Sequence, residues 1–417
     1  MSGEQVFRSV ACLGCGCGCD DLEVRVRDGR IVALAPPCPV ATGWFGDGAL
    51  PAEIGVSAAP ASLEQAIDAA ASLLRRAARP MVLLAPDLTT TAQRTAIAIA
   101  DSLHAEVDGA TSDTAAAGLL AGQRRGRAGA TLGEIRNRAD VVLFWAVDPR
   151  ERYPRFLERY AAAGASTHVT GRRTHLWVSV AGDRGPAKAE LAAEFAPELE
   201  LEALGVIRAV ARGRRLDGVP DALRPAVAIG ERLLQARYAA IVYDAEPGRN
   251  PREDQRADSL LALAQILNGP TRAMLVGLRA GGNRSGAEAA LTWQTGFPMR
   301  VSFHDGRPRY RPARSGLVRL RAGAADAVLV AGAAAELGAL PLASVPGVVI
   351  GPRASAVAGA KVAIDTGVAG IHESGTGYRL DEVPLPLTPV LAHPRGTAES
   401  LELLRRAIGR RPAGQAR

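Results

Sequence analysis

All five cysteines of this 417-residue chain lie in one short stretch near its start. They run Cys12-Leu-Gly-Cys15-Gly-Cys17-Gly-Cys19, and Cys38 follows after eighteen intervening residues. Such spacing is typical of ligands to a metal or an iron–sulfur cluster. Two intervening residues let two sulfurs face one ion or one cube edge, and a distant fourth closes the cage. Gly14, Gly16 and Gly18 leave the backbone free to wrap the sulfurs. Residues 21–34 alternate apolar and polar side chains about Asp28-Gly29, which reads as a β-hairpin that returns Cys38 to the side of the first three. The spacing favours a four-iron four-sulfur cluster on Cys12, Cys15, Cys19 and Cys38, with Cys17 left over. A structural zinc on four of the five, or no metal at all, are the alternatives.

The rest of the chain is long enough for two or three domains. It is 47% hydrophobic and 22% charged, so it is globular rather than disordered. Lys188 and Lys361 are its only lysines, and arginine carries almost all of the +7 charge. Those arginines are scattered and not interleaved with aromatics, so no nucleic-acid partner is expected. No apolar run reaches the length of a membrane span and no secretory segment precedes the cysteines, which points away from membranes and towards the cytoplasm.

After the hairpin, Pro51–Pro60 reads as a linker and Ser62–Ala78 as a helix. Apolar strands are expected at Pro80–Pro86, Val141–Val147, His175–Val180, Ala239–Tyr243, Arg272–Leu278, Ala327–Ala331, Val348–Ile350 and Val362–Ile364. Helices such as Thr91–Leu103, Ala187–Arg212 and Ser259–Leu267 alternate with them, so the chain is α/β with parallel sheets. The expected domains are a cysteine-rich β module at 1–55, a discontinuous α/β domain from 56–115 and 236–417, and an inserted α/β domain at 116–235. The second boundary rests on the change from a helical run to the Ala239–Tyr243 strand.

The most informative segment is Thr131-Leu-Gly-Glu-Ile-Arg-Asn-Arg-Ala-Asp-Val-Val-Leu-Phe-Trp-Ala-Val-Asp-Pro-Arg-Glu-Arg-Tyr-Pro154. A helix ends near Asn137, a strand crosses the core, and the chain turns at Asp148-Pro149, where open α/β sheets bind ligands. This segment resembles the corresponding stretch of the B-type subunit of formylmethanofuran dehydrogenase, a branch of the molybdopterin oxidoreductases. The likeness extends along nearly the whole chain. The N-terminal cysteines match the family's Cys-x2-Cys-x3-Cys motif, with Cys38 as its fourth ligand. Gly281-Gly-Asn-Arg-Ser-Gly286 and Trp293-Gln-Thr-Gly-Phe-Pro298 match a pterin-facing loop, which implies roles for Gly282, Asn283 and Gly286. Glu373-Ser-Gly-Thr376 and Tyr378-Arg-Leu-Asp381 match a late family motif. The fold implied is that of the formate dehydrogenase/DMSO reductase family, domains 1–3.

The departures from this pattern bear on function. Where the family has a cysteine or selenocysteine binding the pterin's metal, the window Asp108-Gly-Ala-Thr-Ser-Asp-Thr-Ala-Ala-Ala117 contains no cysteine, and Ser112 or a neighbouring threonine stands in the ligand's place. A neutral hydroxyl is a poor substitute for a soft thiolate on molybdenum or tungsten. The family's Trp-Gly-x-Asn-Pro has become Trp145-Ala-Val-Asp-Pro149, so Ala146 adds a methyl and Asp148 a negative charge beside an anionic cofactor. The family's acidic-Pro-Arg nucleotide motif has no clear counterpart in Val178-Ser-Val-Ala-Gly-Asp-Arg184. These losses imply that the molybdenum or tungsten pterin is absent.

The chain thus looks like the cofactor-free B-type subunit of the formyltransferase/hydrolase complex of methylotrophic bacteria, which moves a formyl group from tetrahydromethanopterin to a methanofuran-like carrier and releases formate. The resemblance implies a non-catalytic scaffold partnered by formyltransferase, zinc amidohydrolase-like and C-type subunits. The alternative is a working dehydrogenase subunit with a pterin and a four-iron four-sulfur cluster. A small electron-transfer protein is a third reading. Elsewhere, six histidines share no ligand spacing. Asp244 and Asp365 read as turn or cap residues. Arg136, Arg138, Arg150, Arg152 and Arg155 are either a solvated face or a contact for an acidic partner or polyanion.

Overall fold

The computed structural model describes residues 3–162, 168–169, 171–180, 189–246 and 252–410, without the side chains of 113 and 114. The chain divides into two compact units, Met1–Asp113 with Gly281–Arg417, and Thr114–Ala280.

The first unit opens with an antiparallel sheet of Gln5–Val10, Leu22–Arg27 and Arg30–Ala35. Leu22, Val24 and Val26 turn inward while Arg25 and Arg27 face out and pair with Glu4. Asp28 and Gly29 both hold positive φ, at 51° and 71°, as the tight turn of a twisted hairpin demands. The hairpin delivers Cys38 to the N-cap of a short helix, Pro39–Phe45, whose first position is proline.

The main sheet of this unit has five parallel strands in spatial order Glu106–Gly109, Pro80–Leu84, Ala327–Ala331, Gly347–Gly351, Ala360–Asp365. In chain order this is 2-1-3-4-5, a doubly wound arrangement whose order reverses between Pro80–Leu84 and Ala327–Ala331. Short antiparallel strands guard both edges: Val301–Ser302 with Arg309–Tyr310, and Ile54–Val56 with Ala59–Pro60. The central strands are buried along their length and read as continuous apolar runs, as a sheet covered on both faces requires. Helix Leu63–Arg76 starts on a reciprocal capping box between Ser62 and Gln65, and lays Ala66, Ile67, Ala70, Ala71 and Leu74 on the sheet.

The second unit is one parallel sheet in spatial order Leu191–Phe195, Thr174–Val180, Val141–Trp145, Ala239–Asp244, Ala273–Leu278. Its chain order is 3-2-1-4-5, reversing between Val141–Trp145 and Ala239–Asp244.

Two expectations are corrected here. The inserted unit begins near 116 as expected but continues to Ala280 instead of stopping at 235. Strand Ala239–Asp244 pairs directly with Val141–Trp145, so the change from helix to strand near 237 marks a crossover within one sheet, not a boundary. The expected helix Ala187–Arg212 is also split. Leu191–Phe195 is an edge strand, Pro197 opens a single 3-10 turn, and the helix proper is Glu200–Ala211. Alanine and glutamate favour helix, but pairing with Thr174–Val180 and the break at proline override that preference.

Glu200 is wholly buried beneath the second sheet's reversal point. Its carboxylate accepts from Trp145 Nε1 at 2.8 Å and from Arg256, whose NH2 lies 3.1 Å from Oε2. A buried charge pair is costly to break by halves. Replacing Glu200 by Ala strands Arg256 and the indole N–H, and should destabilise the chain by about 3–5 kcal/mol in denaturant unfolding.

Candidate functional site

The cysteine loop is closed by its own backbone: Cys12 N–H donates to Cys19 O at 2.7 Å and Gly18 N–H to Cys15 O at 3.2 Å. Gly14 N–H points at Cys12 Sγ, 3.3 Å away. A Cβ on Gly14 would stand 3.0 Å from Val40 O and 3.1 Å from Trp44 Cβ, so the loop packs directly on the helix that Cys38 caps. Cys12, Cys17, Cys19 and Cys38 are buried and Cys15 is partly exposed. Burial pushes the Cys12 thiol far above the ordinary thiol range. The Gly14 N–H opposes this, while Cys15, Cys19 and Cys38 add to it, so the four expected ligands are neighbours. A thiol in this state is neutral, and a bound cation reverses that preference.

The Cys17 thiol is buried, and its neighbour Cys15 and its burial both push it well above the ordinary thiol range. Among the described residues, no group of three or more His, Cys, Asp or Glu side chains is placed to hold a metal ion.

The glycine-rich loop is an internal joint, not an open cradle. Gly282 N–H donates to Leu13 O at 2.6 Å and Asn283 N–H to Pro86 O. Asn283 is fully buried. Its Nδ2 lies within hydrogen-bond reach of Leu88 O, Thr90 Oγ1, Gln93 Oε1 and Thr376 O, at 3.0–3.3 Å, and its Oδ1 accepts from Tyr378 N–H at 2.7 Å. Gly286 makes room for that amide, since a Cβ there would stand 2.2 Å from Asn283 Oδ1. Gly282, Asn283 and Gly286, expected to face a pterin, are thus engaged with the protein itself.

Ser112 is buried and already bonded. Arg300 donates from Nε to its Oγ and from NH2 to its carbonyl at 2.7 Å. Arg300 holds a left-handed φ of 54°, and its N–H donates to Asp108 Oδ1 at 3.0 Å. Nothing in the local sequence announces Arg300, which lies 188 positions from Ser112.

In the second unit, Ala146 and Asp148 follow the strand Val141–Trp145 on one side of the reversal point. Ala146 has φ 49°, a conformation that suits glycine, the residue the family pattern places there. Asp148 caps the short helix Pro149–Arg152 and is clasped by Arg150 Nε at 2.9 and 3.1 Å, which holds its carboxyl below the usual carboxylate range against the effect of burial. Arg152 forms an ion pair with Asp244 at the end of the neighbouring strand, and Arg155, itself buried, reaches Glu158 at 3.2 Å. Three of the five arginines expected at a cleft mouth therefore meet carboxylates of their own chain. Val178–Val180 end their strand, and 181–184 of the sought nucleotide motif lie outside the described residues.

Asp365 organises a turn by accepting from Glu53 N–H, Ser355 N–H and Ser355 Oγ. His372 and His393 sit edge to face at 5.9 Å, bonded to Gly48 O and Pro51 O. Asp87 was not foreseen. It sits at the first sheet's reversal point, accepts Ala333 N–H at 2.8 Å on Oδ1, and has no hydrogen-bond partner for Oδ2 among the described residues. Burial raises its pKa to about 6, against the pull of the Ala333 N–H.

Two doubly wound parallel sheets, headed by a buried cysteine loop, define a class of α/β proteins in which the carboxyl ends of strands carry the site. No protein-family model matches the chain. It is 29% identical over 428 residues to the B-type subunit of the tungsten-containing formylmethanofuran dehydrogenase 2 of Methanocaldococcus jannaschii, covering 96% of this chain and 97% of that one. It is 30% identical over 276 residues to the B-type subunit of the formyltransferase/hydrolase complex Fhc of Methylorubrum extorquens, covering 66% and 73% respectively. A chain in the crystal structure of the M. extorquens formyltransferase/hydrolase complex FhcABCD with methylofuran superposes with a TM-score of 0.73 at 25% identity, over 85% of this chain and 98% of its own. The chain belongs to the family of formylmethanofuran dehydrogenase B-type subunits, which also includes the equivalent subunit of formyltransferase/hydrolase complexes.

Ala146→Gly should relieve the left-handed strain and stabilise the chain by about 0.5–1 kcal/mol, seen as a higher melting temperature. Asp87 sets a pH signature. Its folded pKa of about 6 lies above the ordinary 3.8, so the stability it contributes is fully present below pH 3.8 and lost as pH rises through 6. Asp87→Asn should therefore exceed the parent in stability by roughly 1–3 kcal/mol at pH 8, and that advantage should fade towards pH 4 in paired denaturation curves.

Proposed function

We propose that this chain is the B-type subunit of a formyltransferase/hydrolase complex and acts as a non-catalytic scaffold in tetrahydromethanopterin- and methanofuran-linked oxidation of formyl groups to formate. The observation that carries this reading is Arg300 seated on Ser112. Where a pterin-bound metal needs a soft anionic ligand, the chain offers a hydroxyl already accepting from a fixed guanidinium, and that positive charge repels a metal cation. The strained Ala146, the Arg150-clasped Asp148 and the self-bonded glycine loop support the same conclusion, because each place where the pterin would lie is engaged by the chain itself. The residues present do not fit a molybdenum or tungsten pterin. The proposed overall arrangement is that of domains 1–3 of the formate dehydrogenase/DMSO reductase family. Its partners are the formyltransferase, zinc amidohydrolase-like and C-type subunits of a cytoplasmic complex.

The cysteine loop carries the spacing of a cluster. Cys12, Cys19 and Cys38 are buried, Cys15 is partly exposed, and a backbone N–H is aimed at the Cys12 sulfur. We assign Cys12, Cys15, Cys19 and Cys38 to a four-iron four-sulfur cluster with a structural role. A module of about 55 residues is near the size at which a core alone barely suffices, and ligation adds folding free energy.

A specific observation favours the second reading, a catalytic dehydrogenase subunit. The tungsten-containing relative matches 96% of this chain, whereas the relative from the formyltransferase/hydrolase complex matches 66%. Metal analysis of the anaerobically purified protein separates the two. The scaffold reading expects no stoichiometric molybdenum, tungsten or pterin, and co-migration with other subunits in a native extract. About one such metal per chain would overturn it, and a free monomer in gel filtration would refute the partnership.

A further inference from the structure

Three helices of the second unit, Ala116–Arg125, Glu200–Ala211 and Glu253–Leu267, enclose a cavity of about 680 Å³. The first helix supplies Arg124 and Arg125, the second Leu201 and Arg208, and the third Asp254, Asp258 and Ser259. Every lining residue belongs to this unit, and none of them is at the reversal point of its sheet. The charges in the cavity are unevenly matched. Asp258 accepts from Arg125 Nε at 2.8 Å and from Arg124 Nε at 3.4 Å, so one carboxylate serves two guanidiniums. Arg208 has no such partner: its Nε–H is closed off from solvent and meets no acceptor among the described residues. Burial and the charges of Arg212 and Arg125 pull its pKa down, with Asp258 acting against them. Ser259 is only 9% exposed, and no hydrogen bond engages its hydroxyl among the described residues. Buried donors left without acceptors are costly, and an acceptor placed in the cavity removes that cost. Asp254, exposed at the rim, is the lining charge that opposes an anion there.

We propose that this cavity binds the phosphoryl group of a small phosphate monoester, with Arg208 and Ser259 as its principal donors and Arg124 and Arg125 beside them. The site rests on neither the scaffold reading nor the cluster assignment. A carboxylate is satisfied by a single guanidinium fork. A phosphoryl group has three acceptor oxygens and a charge of about −1.5 to −2 at neutral pH, so it uses donors that arrive from several sides. Here a guanidinium, a hydroxyl and the spare N–H groups of two further arginines come from three separate helices. The cavity is larger than a phosphate alone requires and falls within the range of roughly 300–1,000 Å³ usual for small-molecule sites. Leu201 offers the remainder of such a ligand an apolar wall.

The test is titration calorimetry on the full chain with whatever subunits it retains, at an ionic strength held constant with sodium chloride. The probes are phenyl phosphate, inorganic phosphate and benzoate, and the proteins are the parent, Arg208→Gln, Arg208→Lys and Asp254→Asn. Phenyl phosphate should bind the parent most tightly, inorganic phosphate less so and benzoate least. Arg208→Gln should weaken phenyl phosphate about tenfold, and Arg208→Lys, which keeps the charge but not the fork, by less. Asp254→Asn should tighten it by about two- to fivefold, since it removes an exposed opposing charge. No binding to the parent overturns the proposal, and so does an Arg208→Gln variant that binds like the parent. Benzoate binding as tightly as phenyl phosphate overturns the choice of a phosphoryl group. Inorganic phosphate binding as tightly as phenyl phosphate makes the bare ion the ligand and overturns the monoester. If Arg208→Gln does not fold, the exposed Asp254→Asn decides, and an affinity that is unchanged or weaker there overturns the site.

Discussion

One buried amide holds the first unit together. The side chain of Asn283 spans the Leu88–Gln93 segment at the start of one helix and the Thr376–Tyr378 strand, while its neighbour Gly282 grips Leu13 of the cysteine loop. Segments nearly three hundred positions apart in the sequence meet at this point. In an interior of low dielectric, each of these bonds is strong because water cannot replace it, and each is expensive to leave unmade. The glycines around Asn283 are the steric condition for the joint. Gly281 lies where a Cβ would stand 2.0 Å from Leu13 O, and Gly286 where it would strike the amide.

The same economy governs charge. A chain that uses arginine almost to the exclusion of lysine has planar, permanently charged donors at almost every basic position. At the reversal point of the second sheet, they meet Asp148 and Asp244. At the first unit's Ser112 the donor is Arg300, with Asp108 fixing its backbone. Guanidinium forks thus stand near strand ends in both units, each satisfied by acceptors of the chain itself.

The sequence disclosed features that depend on neighbours in the chain. The Asp28-Gly29 turn, the buried strands and the helix that opens after Ser62 all follow from local chemistry, and all stand close to where they were expected. Features set by distant partners were hidden. Leu191–Phe195 carries helix-forming residues but pairs as a strand, because a sheet edge was available beside Thr174–Val180. The domain boundary misplaced at 235 failed for a similar reason, since only the pairing of Ala239–Asp244 with Val141–Trp145 shows which unit owns that strand. Arg300 on Ser112, Glu200 under Trp145 and the Asn283 joint all link residues more than fifty positions apart. Spacing alone carries no sign of them.

The interruption of the first sheet by the second unit has a consequence for how the chain comes into being. Pro80–Leu84 and Glu106–Gly109 leave the ribosome early, but the strand that must lie against the first of them, Ala327–Ala331, follows only after the whole of the other unit. Until then a two-stranded fragment, apolar throughout in Pro80–Leu84, presents an open edge, the kind of surface that recruits other chains. The intervening unit has no such wait. All five of its strands are contiguous in sequence, so it can close its sheet as soon as Ala273–Leu278 emerges. The order of synthesis therefore makes every strand of the inserted unit available before the unit that bears the cysteines has all of its own.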